Sequence, residues 1–252
     1  MNFSNKNIII TGSSAGIGKA SAEMFMSYGA NVVINGASLN GMKVAEELNS
    51  KYSSKAIFIQ ADISKVEECK KLFDESVKQL GKIDILVNCA GIVPAGTILD
   101  FNEDEYNEAF DINVKGTFFM SQLLVEHFLE NGKGNIVNVG SIAGLIGPKN
   151  RALYSATKGA MISLSRSLAS DYADKNIRVN CVCPGMVYSP SLKQRIDNTE
   201  NPELTHKQFE NNVPIKRIGS VEEIAANICF VASDENSYMT GSIITIDGGA
   251  SL

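Results

Sequence analysis

The feature that most constrains this chain is its rhythm. Seven short runs rich in β-branched residues alternate with segments of helical period from one end to the other. Strands are expected at Asn7–Thr11, Asn31–Ile34, Ala56–Gln60, Ile83–Asn88, Gly134–Val139, Ile177–Val182 and Ser242–Ile246. Helices are expected at Gly16–Tyr28, Met42–Tyr52, Val66–Leu80, Asp104–Asn131, Ala152–Ala173 and Val221–Ala232. This order implies right-handed crossovers and a parallel sheet covered on both faces. The strands are near-continuous apolar runs, as strands buried on both sides must be. The expected fold is α/β: a single doubly wound Rossmann-type domain over residues 1–252, with a seven-stranded parallel sheet flanked by helices. Only Met186–Pro214 breaks the pattern, being polar and carrying Pro190, Pro202 and Pro214. Residues 186–214 are expected to form a substrate-binding lid near the strand C-termini, where open α/β sheets bind ligands.

Composition removes several classes of function. A formal net charge of −5 gives no general affinity for phosphate backbones, so no nucleic-acid partner is expected. The two histidines, His127 and His206, lie far apart, which argues against a histidine-rich metal site. Five cysteines form no CxxC pair, and Cys181 and Cys183 sit two apart on one strand face, as small apolar side chains. The odd cysteine count and the lack of a leader-like segment suggest a reducing, cytoplasmic setting. No apolar run approaches the ~20 residues of a membrane span, so no membrane association is expected.

The chemistry is concentrated in five places. Thr11-Gly12-Ser13-Ser14-Ala15-Gly16-Ile17-Gly18 joins the first strand to the first helix. Glycines let backbone approach a pyrophosphate, and the helix N-terminus offers free N–H groups and a positive dipole end. An ordinary glycine-rich turn has the same look. Tyr154-Ser155-Ala156-Thr157-Lys158 lies on a helix, where residues four apart share a face. A phenol ordinarily titrates near pH 10, and an adjacent cation favours the phenolate, which suits general acid–base work on a carbonyl or alcohol. Ser141 follows the fifth strand, where a hydroxyl orients an oxygen or caps a turn. Asn88-Cys89-Ala90-Gly91 ends the fourth strand and Pro184-Gly185 the sixth, and small residues there leave room for a flat ligand.

Taken together, these residues resemble the short-chain dehydrogenase/reductase family from Thr11 to the closing Ile246-Asp247-Gly248-Gly249. The resemblance implies hydride transfer between a nicotinamide cofactor and a carbonyl or secondary alcohol. It implies that Gly12, Ser14, Gly16, Ile17 and Gly18 bind the pyrophosphate. Asn88, Ala90 and Gly91 would border the adenosine ribose, and Asp62, followed by Ile63, would take the adenine amino group. Ser141, Tyr154 and Lys158 match the family's catalytic set, with Asn113 holding a water that relays protons from Lys158. Tyr154 and Lys158 also meet the cofactor. Pro184, Gly185 and Val187 would contact the carboxamide, and Ser189 stands where many members have threonine.

Where NAD-preferring relatives carry an aspartate after the second strand, this chain has Gly36. The basic residues of NADP-preferring relatives are missing at Ala15 and Ala37, yet Ser38, Asn40 and backbone amides could hold a phosphate. NADP(H) is therefore favoured over NAD(H). Relatives pair the two long helices into dimers and add the last strand to build tetramers. A homotetramer is expected, with a dimer as fallback. Relatives that take acyl-carrier-protein thioesters dock their acidic carrier on basic helix ends. Here those ends hold Glu126, Glu130, Asp171 and Asp174 against Lys133 and Lys175, although Lys149, Arg151, Lys193 and Arg195 offer charge elsewhere. A free small molecule, such as a hydroxysteroid or other hydrophobic alcohol, is favoured over a 3-oxoacyl-acyl-carrier-protein. A nucleotide-sensing binding protein on the same scaffold is the alternative from another class.

Overall fold

The strands β1 (Asn7–Ile10), β2 (Asn31–Gly36), β3 (Ala56–Gln60), β4 (Ile85–Asn88), β5 (Gly134–Val139), β6 (Ile177–Pro184) and β7 (Ile243–Ile246) form one sheet in the order 3-2-1-4-5-6-7. Every pairing is parallel. The computed structural model describes residues Met1–Leu252. Each central strand is buried because isoleucine and valine on alternate positions feed two separate cores. Ile8, Ile10, Val32 and Ile34 face one side, against helices α1 (Gly16–Ser27), α2 (Asn40–Lys51) and the last long helix, Val221–Ala232. Ile9, Val33, Leu86 and Ile136 face the other, against α3 (Val66–Leu80) and the long helix ending at Asn131. The order reverses between β1 and β4, which opens a crevice at the C-terminal edge of the sheet. No helix is long and apolar enough to cross a membrane.

Two regions differ from expectation. The expected helix over Asp104–Asn131 is three pieces: α4 (Glu103–Phe110), a wider π-type turn (Asp111–Lys115) and α5 (Gly116–Asn131). The extra residue in the turn lets the Gly116 N–H reach back to the Asp111 carbonyl. One extra residue shifts the helical phase only locally, and the segments on either side still read as one long helix. The polar stretch after β6 is two short helices, α7 (Pro190–Asp197) and α8 (Pro202–Asn211). Ser189 and Asn201 cap them and a proline opens each. Upstream, α6 (Ala152–Tyr172) leads into β6, and downstream, α9 (Val221–Ala232) packs on α1. The five cysteines are free thiols, and Cys181 and Cys183, Sγ to Sγ 3.7 Å apart, pack against Ile162.

Candidate active site

A cavity of about 530 Å³ opens in the crevice, running from the β1–α1 loop to the start of α6. Gly12, Ser14, Gly16, Ile17 and Gly18 line one end. Gly12 takes φ +64°, and a Cβ there would lie 2.6 Å from the Ala90 Cα, so only glycine lets this loop and the β4 turn close together. Thr11 ties the two, its Oγ1 accepting from the backbone N–H groups of Cys89 and Ala90 at 3.1 and 3.2 Å. The N-terminus of α1 has no side-chain cap and no acid in its first turn. Its free N–H groups are left to an outside anion, as a pyrophosphate requires. The residues present therefore fit a dinucleotide.

At the other end stand Ser141, Tyr154 and Lys158, all lining the same cavity. They arrive from one strand end and one helix, so the sheet fixes their spacing. Ser141 Oγ accepts from the Ala143 N–H at 3.1 Å, which leaves its own proton to donate. Lys158 is 4% exposed, its Nζ donating to the Val139 carbonyl at 2.8 Å and lying 5.8 Å from the Tyr154 ring centre. No carboxylate lines the cavity. A buried ammonium with no acid partner is left to attract a ligand oxygen. Cys89 also lines the cavity, but burial pushes its thiol up to about 12, which argues against a thiolate nucleophile.

Asn113 is fully buried on the π-type turn, behind the cavity wall. Its Oδ1 accepts from the Ile92 N–H at 2.8 Å, and its Nδ2 donates to the Ile92 carbonyl and Thr157 Oγ1, both at 3.0 Å. It thus pins the turn after β4 to the helix that carries Tyr154 and Lys158. Ala90, Gly91, Pro184, Gly185, Val187, Ser189 and Ala37 line the cavity. Ser38, Asp62 and Ile63 lie beyond the lining, and Asp62 accepts from the Ser64 N–H and hydroxyl at 3.1 and 2.7 Å. Asn88 needs correction. Its side chain is 1% exposed and turns away from the cavity, donating to Ser121 Oγ and Asn138 Oδ1 at 3.1 and 2.9 Å. Asn138 in turn donates to Ser165 Oγ at 2.8 Å, so the pair joins β4, β5 and α6 instead of facing a ribose.

Sequence reasoning missed Thr157 as the partner of Asn113. It also placed Arg151 and Arg195 with surface charge, whereas both line the cavity. Only contact across the fold reveals either fact.

Over residues 12–251 the chain matches the family model described as enoyl-(acyl carrier protein) reductase. It is 45% identical over 250 residues to an uncharacterized oxidoreductase of Thermotoga maritima, with 99% of each chain covered. It is 39% identical over 248 residues to dehydrogenase/reductase SDR family member 6 of Rattus norvegicus, with 98% of each covered. The structure superposes on that of levodione reductase with a TM-score of 0.95 at 28% identity, covering 99% of both.

Proposed function

This chain belongs to the short-chain dehydrogenase/reductase family, a nicotinamide-dependent oxidoreductase of alcohols and carbonyls, and from that premise we propose the roles of its residues and its preferences. A bound nicotinamide supplies or accepts the hydride. Tyr154 gives a proton to the carbonyl oxygen on reduction, or takes it from the alcohol on oxidation. Lys158 stabilises the phenolate side of that exchange and donates to a ribose hydroxyl. Ser141 donates to the substrate oxygen with the proton that its contact to Ala143 leaves free. Asn113 acts as a positioning residue for α6, beside the proton relay that the resemblance assigns to it. The observation that carries this reading is the convergence of Ser141, Tyr154 and Lys158 on the cavity that begins at the glycine loop.

The preferred cofactor is NADP(H). Gly36 and Ala37 line the cavity at the end of β2, where no carboxylate stands to repel a 2′-phosphate. The substrate is a free small molecule, since the acidic residues at the ends of α5 and α6 oppose an acidic carrier. The assembly is a homotetramer. Phe118 on α5 is half exposed, Ala156 and Ser163 on α6 are small and exposed, and β7 forms a sheet edge that a second copy can meet. A panel of ketones and secondary alcohols, followed by nicotinamide absorbance with each cofactor, tests the reaction. Failure of every pair would refute it.

A further inference from the structure

Arg195 is unlike Arg178 and Arg217, whose guanidinium groups the protein itself engages. Arg178 caps the end of α9, donating to the carbonyls of Val231, Ala232, Ser233 and Met239 at 3.0–3.4 Å. Arg217 is held by both oxygens of Glu223, at 2.8 and 2.6 Å. The Nε of Arg195 is buried without any partner. An unsatisfied buried donor on a charged group is costly, so native proteins keep few of them without a use. Arg195 reaches the cavity wall from α7, and Arg151 lines the same wall from the start of α6, its Nη1 engaged only by the neighbouring Asn150 carbonyl at 2.7 Å.

From the oxidoreductase reading above, we propose that the substrate carries a carboxylate a few bonds from the reacting carbon, held by Arg151 and Arg195. Three side chains in the cavity wall are cationic and none is acidic. Lys158 is engaged by Val139 and faces Tyr154, which leaves the two arginines. Guanidinium groups match carboxylates two bonds at a time, and a fork with no protein partner is open to a ligand. Burial first, and then the like charge of Arg151, press the Arg195 pKa below its ordinary value, while Tyr154 draws it up. An anion between the two guanidinium groups would relieve both effects.

Position separates this anion from the phosphates of the cofactor. The glycine loop meets α7 at its start, where a Cβ on Gly16 would lie 3.7 Å from Pro190 Cδ and 3.8 Å from Ser189 Cβ. Arg195 is more than a helical turn further on, and the charges that act on it are Arg151 and Tyr154. Arg151 precedes Tyr154 by three residues, so a group that it grips lies close to the phenol. The cavity must also hold the dinucleotide, which leaves room for a short hydroxy or keto acid and little for a large hydrocarbon.

The test pairs short 3-hydroxy and 3-keto acids with their primary amides. In the wild type kcat/KM for the acid should exceed that for the amide by about a hundredfold, a tenfold factor for each charge-assisted contact. Arg195→Gln and Arg151→Gln should each reduce that ratio at least about tenfold, and Arg195→Lys should restore part of it. With cofactor present, butyrate should raise the Tm of the wild type and leave that of Arg195→Gln in place. Amides used as well as acids would overturn the proposal while leaving the oxidoreductase reading intact. A loss of NADPH affinity in Arg195→Gln as large as the loss on the acid would reassign the arginine to the cofactor. Inactivity on every alcohol and ketone would refute both.

Discussion

Replacing Asn113 by alanine should cost stability and activity together. The side chain is fully buried and makes three hydrogen bonds, at 2.8, 3.0 and 3.0 Å. At about 1 kcal/mol net for each bond, their loss amounts to roughly 3 kcal/mol. Orphaning the Ile92 N–H adds to this, and water entering the vacated space subtracts from it. For a chain of 252 residues each kcal/mol moves the melting temperature by about 2–4 °C, so Tm should fall by about 6–12 °C. Thr157 is adjacent to Lys158, so the lost tie also loosens the segment that sets the Lys158–Tyr154 spacing, and kcat should fall in the protein that remains folded. Calorimetry and initial rates taken well below Tm measure the two effects separately. Asn113→Asp keeps the acceptor for Ile92 but loses both donated bonds, and should also be destabilised. A drop of less than about 3 °C in the alanine variant would show that the bridge between the β4 turn and α6 carries no weight.

Tyr154→Phe should lower kcat at least about a hundredfold with cofactor affinity nearly retained, because it removes the proton donor alone; near-normal turnover would refute the assignment. Gly36→Asp should shift kcat/KM toward NADH by placing a carboxylate against a 2′-phosphate. Because a Cβ at Gly36 would come within 3.0 Å of Ser14 Oγ, Gly36→Ala serves as the steric control, and a wild type already strongly preferring NADH would overturn the cofactor proposal. Burial works against the Asp247 carboxylate, but hydrogen bonds from Ser251 and Gly249 outweigh it and hold the pKa below the ordinary value. A carboxyl lowered by folding lends stability above its unfolded pKa of about 4 and loses it as pH falls through the native value. The urea midpoint of Asp247→Asn should therefore vary less with pH from about 5 to 3 than that of the wild type, and equal slopes would refute the role.

The strands and the glycine loop were legible because they rest on local pattern. Runs such as Ile8-Ile9-Ile10 report burial on both faces directly, and the Tyr154–Lys158 spacing reports a shared helix face. What escaped depends on neighbours distant in sequence. The family resemblance set Asn88 beside the ribose together with the rest of its turn, but its side-chain partners are Ser121 and Asn138. Arg195 stood among polar lid residues, and nothing local says that its guanidinium turns inward. The lid helices were legible in principle, since Ser189-Pro190 and Asn201-Pro202 are helix-opening pairs.

The buried chain from Asn88 through Asn138 to Ser165 bears on how this protein can drift. It locks β4, β5 and α6 into one unit beneath Tyr154 and Lys158, so a substitution there strands several polar groups at once. Helices α7 and α8 are different: Ser189 and Asn201 cap them from within, and most of their surface faces water. Substitutions in that segment disturb few partners elsewhere. Over many generations such a chain can trade one substrate for another far more readily than it can trade one reaction for another.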